Sequence, residues 1–221
     1  MKNTIIKILL LLLIQRITNA QNINWRAFSQ DQKHLIGVNT GLDYGLSYGV
    51  NYGRKLNTKL SMVLNGEFSL PSGNKVLEDF KVKMGVQLEL IHSGNFSATV
   101  KVNGIFRRFE NDYARLLNFG SEFATVAGYY KPRWYIAGEI SFDKAIVTHI
   151  KHLSAALDNN PDLTTGWYIP TGGNFAYGIQ SGMALGQKND LNLKIGKLLN
   201  QNFKTEPTLP FYFQIGYNRR F

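Results

Sequence analysis

An all-β, antiparallel, up-and-down barrel that crosses a membrane on its strands is the fold this sequence predicts, and three observations predict it. Apolar and polar residues alternate in segment after segment, the signature of strands with two different faces. The connections between these segments alternate between short and long. The polar face is crowded with glycines and with charges of both signs, whereas the apolar face carries bulky aliphatic and aromatic groups. Small residues beside paired charges suit a narrow lumen, and bulky apolar residues suit lipid. A soluble barrel would carry its bulk inward.

The first clear run sets Ile36, Val38, Thr40, Leu42, Tyr44, Leu46, Tyr48, Val50 and Tyr52 against Gly37, Asn39, Gly41, Asp43, Gly45, Ser47, Gly49, Asn51 and Gly53. As one strand it would span roughly 55–60 Å, about twice the hydrocarbon thickness. A three-residue loop, Asp43-Tyr44-Gly45, resolves the excess. It keeps Leu42 and Leu46 on one side, and its third-position glycine supplies the positive φ that such loops use. The run divides into strands near 34–42 and 46–55. Leu60, Met62, Leu64, Phe68 and Leu70 then alternate with Ser61, Asn65, Glu67 and Ser69, with Val63 and Gly66 off pattern. Phe80 to Leu90 alternates with Lys81, Lys83, Gly85, Gln87 and Glu89, and Phe96 to Phe106 alternates with Ser97, Thr99, Lys101, Asn103 and Arg107. Further strands read near 117–130, 134–143, 174–186, 190–199 and 210–221.

Asn57-Thr58, Ser93-Gly94-Asn95, Lys131-Pro132 and Gln187-Lys188-Asn189 are short turn sequences. Longer connections cover 71–79, 108–116, 144–173 and 200–209. The count is ten strands, with eight as the alternative, and an even number leaves both termini on the periplasmic side. Within 144–173, Ile146, Ile150, Leu153 and Leu157 fall at helical spacing and predict a short amphipathic helix in a long external loop.

Ahead of the strands, Lys2 and Lys7 precede the apolar run Ile8–Ile14, and Thr18-Asn19-Ala20 follows. This is the order of a secretory signal peptide cleaved after Ala20. The run of ~7 apolar residues is too short for a bilayer that needs ~20. Residues 1–20 are read as the signal peptide and 21–221 as one barrel domain. Removing Lys2, Lys7 and Arg16 lowers the formal charge from +10 to +7. A surplus of this size points to anionic surroundings such as lipopolysaccharide, and export argues against nucleic acid. There is no cysteine, so no disulfide supports the fold and no lipid anchor is attached through one.

The inward candidates are Lys81, Lys83, Glu89, Lys101, Arg107, Glu122, Glu139 and Asp143. Charges of both signs on one face neutralise one another, which limits the cost of burying them. Glu139 and Asp143 share one strand face and could do acid–base work, although pairing with lumen cations is the more frequent fate. The external-loop candidates are His149, His152, Trp167 and Tyr168. The two histidines would share a helix face, but no cysteine or placed carboxylate completes a metal site. Arg107 and Arg108, at the mouth of a long loop, could meet lipopolysaccharide phosphates through their guanidinium groups. No catalytic constellation, cofactor motif or nucleotide-binding glycine loop is present in the spacing.

The terminal strand Phe211-Tyr212-Phe213-Gln214-Ile215-Gly216-Tyr217-Asn218-Arg219-Arg220-Phe221 resembles the C-terminal assembly signal of bacterial outer-membrane barrels, which end in an alternating strand closed by an aromatic residue. The resemblance implies an outer-membrane location in a Gram-negative bacterium and recognition of Phe221 by the barrel-assembly machinery. Gly41-Leu42-Asp43-Tyr44-Gly45 and Phe142-Asp143-Lys144-Ala145-Ile146-Val147-Thr148-His149 are similar to stretches of small barrels of the Bacteroidetes type, a group with no assigned activity. The expected role is structural, binding of a surface partner, or conduction through a very narrow channel, since about this many strands leave a lumen that side chains nearly fill. The alternative is a barrel-rim enzyme acting on lipid A or surface peptides.

Overall fold

The computed structural model describes residues 23–221 apart from 30, 43–44, 57, 73–76, 170–171 and 204–206. The predicted signal peptide and cleavage site, Asn57 and two residues of the first hairpin loop lie outside the described residues. Eleven strands form one antiparallel sheet: β1 (His34–Leu42), β2 (Leu46–Leu56), β3 (Met62–Pro71), β4 (Phe80–Ser93), β5 (Phe96–Glu110), β6 (Ala114–Tyr130), β7 (Trp134–His152), β8 (Gly166–Tyr168), β9 (Gly173–Leu185), β10 (Asn189–Asn200) and β11 (Phe211–Arg220). Ten of them close a barrel in up-and-down order, with β7 meeting β9 and β11 meeting β1. The tripeptide β8 is an appendage paired with the outer part of β7.

The predicted first hairpin is present: Leu42 pairs with Leu46, and Gly45 carries a φ of +149°, a value L side chains rarely adopt. Closure is completed at the C-terminus. The Phe221 amide donates to the His34 carbonyl at 2.9 Å, and the Phe221 carbonyl accepts from the Lys33 and His34 amides at 3.1 and 2.9 Å. Its ring stacks on His34 with centroids 5.4 Å apart.

The barrel is built inside-out. Met84 is 68% exposed and Ile140 55%, whereas Lys101 is 5%, Glu139 6% and Arg220 1% exposed. On β5 the outward residues Phe96, Ala98, Val100, Val102, Gly104 and Phe106 make an apolar band. The ten steps from Phe96 to Phe106, at about 3.4 Å each and tilted about 40°, stand about 26 Å tall, the height of a hydrocarbon layer in such barrels. Apolar surface of this extent is stable only against lipid. The chain is therefore a transmembrane β-barrel. Aromatic residues mark both edges of the band. Tyr129 and Trp134 pack together at the short-turn end. At the other end Phe68, Phe80, Phe106, Phe119 and Trp167 form a chain of ring contacts 4.9–6.1 Å between centroids, crossing five strands.

The segment 144–157 departs from the sequence reading. The β7 strand continues to His152 instead of ending near 143, and the helix, α1, covers only Ser154–Asn159. The cause is a β-bulge. Phe119 pairs with Val147 and Gly120 with Ala145, so Ile146 is an extra residue and the inward and outward positions of β7 exchange there. That exchange broke the period-2 pattern and left a spacing that looked helical. Strands β6 and β7 extend as a long hairpin, 17 and 19 residues, beyond the apolar band.

Candidate functional site

Alternation along ten strands delivers the polar set to the lumen, where low dielectric makes an isolated charge costly. The side chains answer by pairing across strands. Lys194 Nζ on β10 lies 2.6 Å from Glu139 Oε1 on β7, and Lys101 Nζ on β5 is 3.9 Å from Glu139 Oε2. Gln180 Nε2 donates to the same carboxylate at 3.1 Å. Lys83 on β4 pairs with Glu122 on β6, which also accepts from Asn103 Nδ2 at 2.9 Å. Arg107 pairs with Asp143 and donates to Asn118 at 3.0 Å. These bonds tie β4, β5, β6, β7, β9 and β10 together through the middle of the barrel.

Above this layer, towards the long-loop end, lies a cavity of ≈ 100 Å³ lined by Lys81, Lys83, Lys101, Glu122, Glu139 and Asp143, with Ser47, Gln214 and Tyr212 among their neighbours. It has room for only a few water molecules. Six of the eight inward residues singled out in the sequence meet around it. Glu89 sits apart, near the short-turn end, where it accepts from Ser97 Oγ and lies 3.0 Å from His92 Nδ1. That trio has serine, histidine and a carboxylate, but serine and histidine both address the carboxylate. A nucleophile needs its base on its own hydrogen, and Ser97 is fully buried. Glu139 and Asp143, weighed as an acid–base pair, are each bonded to cations on other strands.

The short-turn end is closed by a feature the sequence reading missed. Residues ahead of β1 turn into the barrel mouth through a 3₁₀ turn, Trp25–Ala27. Ile23 and Trp25 pack with Val63, Val126, Tyr130, Tyr135 and Ala137 as one buried cluster, with Phe28 against it. The Tyr130 and Tyr135 rings stack at 5.1 Å, and the Tyr135 hydroxyl bonds Asn192 at 3.0 Å. Side-chain bonds tether the segment to short turns: Asn24 Nδ2 donates to the Lys131 carbonyl at 3.1 Å, and Gln32 Nε2 to the Gln187 carbonyl at 3.2 Å. The signal existed. Val63 and Val126 are apolar residues on a polar face, and Trp25 and Phe28 stand outside any strand. Close packing here relies on glycine: a Cβ on Gly182 would lie 2.3 Å from the Tyr135 ring and 2.5 Å from Asn192 Oδ1.

The external candidates are dispersed. His149 and His152 lie on a strand, not a helix, and so point to opposite faces. His149 packs edge-on against Trp167 at 5.0 Å, and that indole continues the outer aromatic chain through Phe119. The Tyr168 hydroxyl donates to the Thr164 carbonyl at 2.7 Å, closing the turn before β8. Arg107 and Arg108 part company: Arg107 faces Asp143 in the lumen, while Arg108 points outward and bonds Glu110 at 2.5 Å. Glu110 also accepts from Arg115 Nε and Nη2 at 2.6 and 3.0 Å. These two guanidinium groups, Arg115 first, hold the Glu110 carboxyl at a pKa of about 2, well below the usual carboxylate range. Among the described residues no group of His, Cys, Asp and Glu side chains converges as a metal site would require.

No family model matches the sequence, and no curated protein does. Among solved structures the chain is similar to a KdgM porin in complex with disordered oligogalacturonate, at 8% identity and a TM-score of 0.44, and to a KdgM porin at 8% identity and 0.45. Each likeness covers 85% of this chain and 99% of the other.

Proposed function

We propose that this chain is an exported outer-membrane barrel that does not conduct in its resting state and that works as a binding platform at its long-loop end. The reading includes cleavage of residues 1–20, insertion by the barrel-assembly machinery through the Phe221 strand, and both termini in the periplasm. The β6–β7 hairpin, α1 and β8 then stand outside the cell, offered to a surface partner. The observation that carries the closed state is double obstruction. Ion pairs around Glu139 and Glu122 cross the lumen, and below them the Trp25 segment fills the mouth with apolar groups. Side chains nearly fill barrels of about this strand number.

The test is conductance of the refolded mature protein in planar bilayers. The expected result is no steady current, and large stable openings would refute the proposal. A second reading, a narrow channel gated by the N-terminal segment that cleavage after Ala20 would leave as a chain end, is favoured by one observation: side-chain bonds to turn carbonyls anchor that segment, and no strand of it pairs among the described residues. Deleting residues 23–29 separates the two readings. A gated channel acquires frequent small openings, and a platform remains silent because the ion-pair layer persists.

A further inference from the structure

Beyond the aromatic chain at the long-loop end, strand register places the outward side chains of β5, β6 and β7 in successive rows. The first row is Phe106, Phe119 and Val147, the next Arg108, Leu117 and His149, and the last Glu110, Arg115 and Lys151. Arg115 and Lys151 are direct cross-strand partners on one face. Like charges in that relation repel and destabilise the pair. The acid in the same row, Glu110, is already held by three bonds to Arg108 and Arg115. Its depressed pKa keeps it ionised, and with Asp79, whose carboxylate accepts from the Glu110 amide at 3.0 Å, two negative charges stand beside three cations. Lys151 is exposed and makes no ion pair among the described residues.

We propose that this patch, with Arg115 and Lys151 as the ligands and Arg108 beside them, binds the phosphate headgroup of a phosphorylated outer-leaflet lipid. The proposal rests on the outer-membrane placement above. Its position decides between a lipid and a soluble anion. One outward step along a tilted strand rises about 5 Å, so the last row stands about 10 Å beyond the Phe119 ring. The headgroup layer adds roughly 5–8 Å to each side of the hydrocarbon, and long basic side chains reach back into it from that height. The guanidinium group offers paired donors to phosphate oxygens, and the ammonium group adds a point charge. The Phe119–Trp167 contact beneath provides an apolar surface for the lipid's chains or sugar face.

The test uses the refolded mature barrel in neutral detergent. Folding is read first, as the gel-mobility difference between unheated and boiled samples, so failure to form a barrel is distinguished from failure to bind. Native mass spectrometry then compares adducts with diphosphorylated lipid A, phosphatidic acid and phosphatidylcholine. Both phosphomonoester lipids should be retained at least about tenfold over phosphatidylcholine, since each charge-assisted contact is worth about that factor. The variant R115Q/K151Q should lose the preference about tenfold while folding normally, and R115K/K151R should keep it. Undiminished retention by R115Q/K151Q would overturn the proposal. Displacement of the lipid by an equal concentration of inorganic phosphate would overturn the lipid assignment, because it would make the patch a site for soluble anions.

Discussion

Replacing Glu139 with glutamine should destabilise the barrel strongly. Glu139 is 6% exposed and is the shared counter-ion of Lys194 at 2.6 Å and Lys101 at 3.9 Å. The amide keeps the shape but leaves two lysines facing each other in a low dielectric. Breaking a buried pair by removing one partner costs about 3–5 kcal/mol. With a urea dependence of about 2 kcal/mol per molar, the unfolding midpoint should fall by about 2 M. The assay is equilibrium unfolding of the refolded barrel in lipid vesicles, followed by tryptophan fluorescence and by the loss of the fast-migrating gel band. The triple variant K101M/E139L/K194M removes all the charges together. It should recover stability to within about 1 kcal/mol, because apolar replacement of a complete buried ion network is close to neutral. An unchanged E139Q midpoint, or a triple variant weaker than E139Q, would refute the reasoning that Glu139 acts as a counter-ion.

Deleting Phe221 removes the three backbone hydrogen bonds at the end of the β1–β11 seam and should sharply reduce the folded fraction in membranes, measured as heat-modifiable protein. Trp25→Ala should cost about 3–5 kcal/mol in packing of the N-terminal segment, read as faster proteolysis ahead of β1 while the barrel band stays resistant. The carboxyl of Glu110 has its pKa lowered to about 2, so its contribution is complete above the ordinary carboxylate pKa and is lost as pH falls through about 2. Its side-chain carbon resonance should therefore titrate near pH 2, and a midpoint near 4 would contradict the arginine clamp. Replacing residues 153–165 with a short Gly/Ser link should leave the barrel assembled, since it ends no barrel strand. An epitope tag at Asn159-Asn160 should be reachable by antibody on intact cells, and access only after the outer membrane is broken would reverse the orientation.

The architecture is legible in the order of residues because strand facing is a local property. Each side chain points opposite to its neighbour, so a lipid-facing strand must alternate whatever its partners are. Ten strands, the 43–45 hairpin and the ends of β1, β9, β10 and β11 were legible within a residue or two for that reason. Where Ile146 interrupts the alternation, the same rule misled, because a bulge is defined by the opposite strand and only the pairing of Phe119 and Gly120 reveals it. Which charges meet depends instead on how the sheet closes. Lys194 joins Glu139 and Lys83 joins Glu122 across 55 and 39 residues of chain, distances that carry no sequence periodicity. Closure also brings the segment around Trp25 into the barrel mouth, since the cluster receiving it comes from β3, β6 and β7 and exists only once the sheet has closed.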